Sequence, residues 1–236
     1  MDFFIDQNFE YKKYKDKSVL VIGGGPSTSE VDWKSLDVDY IWSCTNFFMN
    51  DDIVEQEVDL VSLGNLQDYT DDRLLSYLDN NINCKVLFEQ NYLYPATLSN
   101  NLSFVNKYKD RIFYGQLDKS YTGIVGPPAR MITLAANVGF NDIYFVGVDG
   151  FDPSLKNVHA FTKEDGLREG ATHNNYDAYY DAHTSFAKNI FKDFGNRVSF
   201  RNLGEVATSH NIISKVSKDK FPLDEKTLEV LGKSLR

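Results

Sequence analysis

The chain has 236 residues, a formal net charge of −9 at pH 7, 42% hydrophobic residues and 14% aromatic residues. This length fits one large α/β domain, or one domain with a small lid, and the composition excludes extensive disorder. The net negative charge argues against a nucleic-acid binder, because the phosphates of a nucleic acid would repel a protein of this charge. Two cysteines are too few for a zinc site, so Cys44 and Cys84 are predicted to be buried thiols.

Apolar runs alternate with helical segments along the chain. Strands are predicted over residues 18–22, 40–44, 60–63, 85–88, 112–114, 142–148 and 197–201, and helices over 29–36, 71–80, 128–138 and 176–194. This alternation predicts an α/β fold of Rossmann-like type, with a mostly parallel sheet flanked by helices and right-handed crossovers. No apolar stretch is long enough for a membrane span and no secretory leader is recognised, so a cytoplasmic location is the simplest expectation.

Two segments fall outside this alternation. Residues 150–175 are polar, contain glycine and lack periodicity, which is typical of a lid inserted in a compact domain. Residues 211–236 form a lysine-rich, partly amphipathic tail, for which a solvated terminal helix or a contact with an acidic lipid surface is expected. Residues 1–149 and 176–210 are therefore predicted to form the main α/β domain, with the lid and the tail as separate segments.

The turn after the first predicted parallel strand is the most informative motif. The apolar run 19–22 ends at GGGPS, residues 23–27, directly before a predicted helix. Glycine lets the backbone approach a ligand, and Pro26 suits a helix start because its missing N–H would be unpaired there. The N–H groups of Ser27, Thr28 and Ser29 are therefore predicted to face a phosphate. The motif is neither a P-loop nor G-x-G-x-x-G, and a turn without a ligand is the alternative.

Polar residues follow the other predicted strands, where an open parallel sheet binds ligands. The amides of Asn46 and Asn65 suit a base edge or a ribose hydroxyl, although a turn role is as common for each. Asp149 follows an apolar run and has three open roles: capping local amides, contacting substrate or binding a metal. Of the histidines, His173 is preferred as a general base, because it precedes the last long helix and Asp177 is placed to orient its ring. His183 is the alternative.

Four stretches, in chain order IGGGPSTSEVDWKSL, YIWSCTNFF, AANVGFNDIYFVGVDGF and VHAFTK, resemble the bacterial CMP-sialic-acid sialyltransferases of glycosyltransferase family 42. They also resemble the related pterin-pyrophosphokinase-like proteins of the same nucleotide-binding fold. The resemblance extends from about residue 18 to 205. It implies a GT-A-variant fold, a nucleotide-sugar substrate, no metal or other cofactor, and a histidine that deprotonates an acceptor hydroxyl. It further suggests a glycan acceptor, a homo-oligomer and a peripheral membrane contact.

Carried over residue by residue, the resemblance completes the predicted site. Gly25 and Ser27 match the family's loop, whereas Gly24 stands where the sialyltransferases have Asn. Thr45 or Asn46 takes the place of the nucleotide-binding Asn, depending on a one-residue shift. Phe151 and His159 replace two lid tyrosines, and His159 is predicted to stabilise the leaving phosphate. The predicted donor-binding residues are Gly23, Gly24, Gly25, Pro26, Ser27, Thr45, Asn46, Asn65, Thr122, Gly123, Asp149 and Phe151, and the predicted catalytic residues are His173 and His159.

These features favour an inverting glycosyltransferase with a CMP-sugar donor, acting in surface polysaccharide synthesis. Two alternatives are weighed beside it. A pyrophosphokinase-like enzyme would need Mg²⁺, for which Asp149 and Asp152 are the obvious acidic pair. A non-catalytic nucleotide-sugar-binding module would bind nucleotide without turnover and tolerate loss of His159 and His173.

Overall fold

The structure, a computed structural model, describes residues 4–5, 9–63, 69–89, 101–116, 126–149, 176–207 and 220–231. In these ranges the strands form one eight-stranded sheet in the order β1-β6-β5-β4-β3-β2-β7-β8. The strands are β1 (Phe4–Ile5), β2 (Ser18–Ile22), β3 (Tyr40–Cys44), β4 (Leu60–Leu63), β5 (Lys85–Glu89), β6 (Ile112–Gln116), β7 (Asp142–Val146) and β8 (Ser199–Asn202). Strands β2 to β8 are parallel, and β1 pairs antiparallel with β6. The predicted α/β fold with a mostly parallel sheet is confirmed.

Helices cover both faces of this sheet. They are α1 (Ser27–Glu30), α2 (Asp51–Val54), α3 (Asp72–Asn80), α4 (Leu102–Tyr108), α5 (Gly126–Val138), α6 (Tyr176–Phe194) and α7 (Glu225–Val230). Short 3-10 turns lie at Tyr11–Tyr14, Trp33–Ser35, Phe47–Met49, Lys109–Arg111 and Leu203–Val206. No helix in the described part of the chain is both long and apolar enough to cross a bilayer.

The core has two layers, one on each face of the sheet. Val19, Val21 and Trp42 point to the face covered by α5 and α6. Leu20 and Ile22 point to the opposite face, where α3, α4 and the end of α7 pack. Strand residues therefore alternate between two buried faces, which explains why the parallel strands are continuous apolar runs. The thiols of Cys44 and Cys84 are buried, as predicted, and burial raises the pKa of Cys84 to about 12.

The predicted helix over residues 29–36 is wrong. Helix α1 ends at Glu30, Val31 is extended, and the chain then forms the 3-10 turn Trp33–Ser35. The side chains of Val31 and Trp33 are buried, and the Trp33 indole N–H donates to the carbonyl of Thr28 at 2.8 Å. Burial of these two side chains outweighs the local preference for a continuous helix.

Several strands and helices differ from the prediction in their bounds or were not predicted. Strand β7 ends at Val146 rather than at residue 148, and β8 spans Ser199–Asn202 rather than 197–201. Strand β1 and helices α2 and α4 were not predicted, because each is short or lacks clear periodicity. The C-terminal helix is not merely solvated: Thr227 in α7 and Leu231 directly after it are buried.

The strand order reverses between β2 and β7. The chain passes outward from β2 through β3, β4, β5 and β6, then returns to place β7 on the other side of β2, in register from Ser18↔Asp142 to Ile22↔Val146. In open parallel sheets, the crevice beyond the carboxyl ends at such a reversal is where ligands bind. The candidate site is therefore where β2 and β7 end.

Helix α7 is tied to the sheet by a charged contact. The Asp224 carboxylate accepts the N–H of Thr227 at 2.8 Å and pairs with the Arg201 guanidinium on β8 at 2.6 Å. Arg201 also contacts the Asp142 carboxylate at 2.6 Å. Partial burial raises the pKa of Asp224, but the hydrogen bond from Thr227 and the charge of Arg201 outweigh this effect, so its pKa lies below the usual range.

An Asp224→Asn substitution should keep the helix cap but remove the charge. A carboxylate with a lowered pKa stabilises the fold above its unfolded pKa of about 3.9, and loses that contribution as the pH falls through the folded pKa. We expect the variant to unfold about 0.5–1 kcal/mol more easily at pH 7, since the pair is partly exposed. Urea unfolding at pH 7 and below pH ~3 measures this, and a difference of equal size at both values contradicts it.

Candidate functional site

The glycine turn after β2 packs directly against the end of β7. Gly23 donates its N–H to the carbonyl of Val146 at 2.8 Å, and Gly25 donates to Gly147 at 2.9 Å. A Cβ on Gly23 would lie 2.3 Å from the Gly147 carbonyl oxygen, and one on Gly25 would lie 2.4 Å from Asp149 Oδ2. The close contact of two strand ends therefore excludes any larger residue at these two positions.

Two buried hydroxyls join the same strand ends. Ser27 Oγ accepts the N–H of Gly147 at 2.8 Å, and Thr28 Oγ1 donates to the carbonyl of Gly23 at 2.9 Å. Both side chains are buried. The hydroxyl of Ser27, predicted as a donor-binding group, is thus turned inward and connects β2 with β7.

The Asp149 carboxylate occupies the start of α1. Its Oδ2 accepts the N–H of Ser27 at 2.8 Å in a buried contact. The N–H groups of Thr28 and Ser29 donate to the carbonyls of Gly25 and Pro26. The prediction that the Ser27, Thr28 and Ser29 amides are free for a phosphate is therefore wrong, because protein groups already accept all three. Of the three roles open for Asp149, the contact seen here is amide capping.

A third strand end joins this arrangement and was missed by the sequence analysis. Asn202, at the end of β8, accepts the N–H of Gly204 through its side chain at 3.0 Å. A Cβ on Gly204 would lie 2.8 Å from Ser27 Oγ and 2.9 Å from Asp149 Oδ1. The signal that reveals it is an Asn two residues before a Gly after a strand, the pattern of a side-chain-closed turn. We call residues 23–28, 147–149 and 202–204 the strand-end cluster.

Polar groups remain open at the adjoining end of β3. By register, Ile22 pairs with Ser43, so Thr45 lies level with Gly24 beyond the sheet edge. The side chains of Thr45 and Asn46 are partly exposed, and neither has a hydrogen-bond partner within the described ranges. Among residues 23–29, Gly24 alone has an N–H without a partner in the part of the chain that the structure describes. These three groups follow the carboxyl ends of β2 and β3, where they are candidates for contacts with a ligand.

Thr45 has a strained backbone. Its φ of +45° is unusual for a β-branched residue, and such a conformation costs roughly 1–3 kcal/mol. The Thr45 N–H donates to the carbonyl of Ser62 on β4 at 2.8 Å, which holds this conformation. Strain of this kind is concentrated at functional sites, where neighbouring structure maintains it.

Helix α5 begins beside the glycine turn. A Cβ on Gly23 would lie 3.2 Å from Pro128 Cγ, in the first turn of α5. The positive end of this 13-residue helix dipole therefore lies beside the glycine turn. Arg130, in the next turn, is a buried cation that the sequence analysis did not single out.

The predicted catalytic and lid residues are only partly located. His183 is buried on the face of α6 that also carries Phe186, Ala187 and Ile190. The following predicted residues lie outside the described ranges: Asn65, Thr122, Gly123, Phe151, Asp152, His159 and His173. No group of three His, Cys, Asp or Glu side chains with the geometry of a metal site occurs among the described residues.

No protein-family model matches the sequence, and no curated protein matches it. Solved structures do match. The likeness is one of fold, to an α/β structure with a mostly parallel sheet. The sialyltransferase CstII from Campylobacter jejuni, solved in complex with the substrate analogue cytidine-5′-monophosphate, matches with a TM-score of 0.53 and 16% identity over 84% of each chain. The monofunctional α-2,3-sialyltransferase Cst-I from the same organism matches with a TM-score of 0.48 and 12% identity, over 92% of this chain and 82% of that chain.

The likeness to CstII agrees with the family resemblance noted from the four sequence stretches. At this identity the likeness establishes the fold. The predicted α/β architecture of the sialyltransferase type is thereby confirmed.

The strand-end cluster leads to a stability prediction with a matched control. Gly147 and Gly139 both have positive φ, at +69° and +102°. A Cβ on Gly147 would lie 2.2 Å from Thr28 Oγ1, whereas one on Gly139 would meet nothing closer than 3.5 Å. We expect Gly139→Ala to cost about 1–2 kcal/mol through backbone strain alone, and Gly147→Ala more than about 4 kcal/mol.

The free energy of unfolding in urea, measured for both variants, tests this prediction. Equal losses would mean that the ends of β2 and β7 can separate without cost. Such a result would contradict the packing described for the strand-end cluster.

Proposed function

We propose that this protein is a glycosyltransferase that moves a sugar from a nucleotide-sugar donor, preferably a CMP-sugar, to a hydroxyl of a glycan or lipid-linked acceptor. The observation that carries the proposal is the crevice at the β2–β7 reversal. There the Gly24 N–H and the side chains of Thr45 and Asn46 stay open while the strand-end cluster is internally satisfied. The CMP complex of CstII, which has the same fold, supports the choice of nucleotide.

The nucleoside is assigned to the β3 side of the crevice. An amide such as that of Asn46 both donates and accepts hydrogen bonds, as a pyrimidine edge or a ribose hydroxyl requires. Thr45 and Gly24 each lie two residues beyond the Ile22–Ser43 pair, and we assign the Thr45 hydroxyl and the Gly24 N–H to a second polar contact. With Asn65, Thr122 and Gly123 they form the proposed nucleoside pocket.

The donor phosphate cannot use the start of α1 as long as Asp149 occupies it. We assign the phosphate instead to the side of the crevice where α5 begins, with Phe151 and His159 of the lid segment beside it. The positive end of the α5 dipole favours the charge that grows on the phosphate as the glycosidic bond breaks. Exclusion of water by the lid then limits hydrolysis of the donor.

The transfer is an inverting displacement. The acceptor oxygen forms a bond to the anomeric carbon from the face opposite the phosphate, and the bond from that carbon to the phosphate oxygen breaks. His173 takes the acceptor hydroxyl proton, and the nucleotide monophosphate leaves with the bonding electron pair. Proton transfer of this kind is worth about 10²–10⁴-fold in rate. His183 remains the alternative base.

The cellular setting that goes with this proposal is surface polysaccharide synthesis in the cytoplasm or at the cytoplasmic face of a membrane. A homo-oligomer and a peripheral membrane contact belong to the same expectation. No metal and no cofactor beyond the nucleotide sugar are needed.

Nucleotide binding is the first test. CMP at 100 times its Kd should stabilise the protein by about 2.7 kcal/mol, which corresponds to a rise in Tm of roughly 5–10 °C for a chain of this size. Asn46→Ala should weaken CMP binding about tenfold and reduce the shift by about half. Asn83→Ala, an exposed amide in the turn before β5, is the control and should leave the shift unchanged.

A thermal-shift series with CMP, CDP, UDP, GDP and ATP, with and without Mg²⁺, checks these values. Stabilisation that requires ATP and Mg²⁺ would favour the pyrophosphokinase alternative. If Asn46→Ala and Asn83→Ala change the stabilisation by CMP equally, the assignment of the nucleoside to the end of β3 is contradicted.

The base is tested by histidine variants. His173→Ala should lower transfer from a CMP-sugar by about 10²–10⁴-fold and leave the CMP thermal shift intact. His183→Ala should mainly lower Tm, because His183 is buried on the face of α6 that packs in the hydrophobic core.

Product formation with EDTA present, followed beside Tm, separates the outcomes. Transfer that survives His173→Ala but is lost in a folded His183→Ala protein reassigns the base. Transfer that survives both substitutions contradicts histidine catalysis, and CMP binding without turnover favours the non-catalytic module.

A further inference from the structure

A cleft of about 630 Å³ lies at the edge of the sheet opposite the candidate site. It is formed where α6 ends and β7 and β8 begin, and the segment around Pro222 closes its third side. Its volume falls in the range of small-molecule sites, about 300–1,000 Å³. Asp142 in the cleft and Val146 at the crevice are the two ends of β7, roughly 13 Å apart along the strand.

The charged floor of this cleft is already satisfied. The Arg201 guanidinium pairs with the carboxylates of Asp142 and Asp224, each at 2.6 Å, and donates a further hydrogen bond to the Tyr144 hydroxyl oxygen at 3.1 Å. The Arg201 side chain is itself partly buried. One guanidinium between two carboxylates leaves a net charge of −1, so a ligand meets paired charges here and no open cation on Arg201.

Neutral polar groups line the rest of the cleft. The side-chain amides of Asn141 and Asn196 and the hydroxyl of Ser199 have no hydrogen-bond partner within the described residues. The Arg197 guanidinium stacks on the Phe194 ring at 4.7 Å and forms no ion pair in the described part of the chain. These groups supply paired donors and acceptors that a hydroxyl-rich ligand can use.

An aromatic wall completes the cleft. Phe191 is 39% exposed, although most large apolar side chains of the described ranges are buried. Its ring lies 6.4 Å from that of Phe221, which anchors it to the core. An exposed, fixed ring beside amide groups matches a sugar ring, whose apolar C–H face stacks while its hydroxyls bond at the edge.

We propose that this cleft binds an oligosaccharide segment, namely the part of a glycan acceptor or product that lies away from the reacting end. The assignment deepens the proposed function and rests on it for the source of the glycan. Two sites on one rigid sheet let a chain that spans both be held more tightly than either site holds it alone.

The experiment measures sugar binding without donor or turnover. Lacto-N-tetraose, a neutral tetrasaccharide, and sialyllactose, an acidic trisaccharide, are titrated against the whole protein while the side-chain amide signals of Asn141 and Asn196 are followed by NMR. At least one of the two sugars should shift these signals. Phe191→Ala should weaken the binding about tenfold, and Arg197→Met should weaken sialyllactose more than lacto-N-tetraose.

Leu102→Ala is the control, because Leu102 is an exposed apolar residue on α4, away from the cleft. It should leave sugar binding unchanged. No shift from either sugar at about 10 mM, ten times a Kd of 1 mM, overturns the proposal. Equal effects of Phe191→Ala and Leu102→Ala overturn it as well.

The failure of this proposal is distinguishable from failure of the proposed function. Sugar binding at Asn141 and Asn196 without any transferase activity keeps the cleft and rejects the transferase. Transfer that proceeds with unchanged KM for a long acceptor in Phe191→Ala rejects the cleft and keeps the transferase.

Discussion

The contact between the Asp149 carboxylate and the Ser27 N–H is the interaction on which the site depends. A buried carboxylate is costly unless hydrogen bonds compensate it, and the start of α1 supplies one. Asp149 follows β7 and Ser27 follows β2. The hydrogen bond therefore joins the ends of the two neighbouring strands between which the strand order reverses. Gly204 after β8 fits against both residues, so three strand ends are held by one set of contacts.

This arrangement divides the crevice into a closed floor and an open side. The floor uses its own donors and acceptors, which makes it a rigid platform. The open side at β3 keeps Thr45 in a strained conformation that the adjacent strand β4 maintains through one hydrogen bond. Polar groups held in this way need little reorganisation when a ligand arrives, which is the usual basis of tight and specific binding.

Elements with strong periodicity were predictable to the residue: β2, β3, β4 and α6 have the bounds expected from their patterns. The prediction of a helix over 29–36 is wrong because the burial of Trp33 depends on tertiary contacts, which the local pattern does not show. The prediction of free amides after Pro26 is wrong for a related reason. Nothing in the sequence near Ser27 shows that a carboxylate 122 positions away accepts the Ser27 N–H. Local pattern thus predicted the strands at whose ends the candidate site lies, but not the partners of its groups, which depend on contacts distant in sequence.

The same topology relates the crevice to the cleft at the opposite edge. The carboxyl end of strand β7 lies at the crevice, and Asp142, at its other end, lies in the cleft. The strand pairs with β2 on one side and with β8 on the other. A strand that is hydrogen-bonded on both sides and carries buried residues on both faces keeps its register, because a shift of one residue would turn every side chain to the other face. The separation of the two sites is therefore set by the strand itself. Under the two proposals made above, a glycan that contacts both places must span more than a strand length, and acceptors would be discriminated by their reach as well as by their reacting sugar.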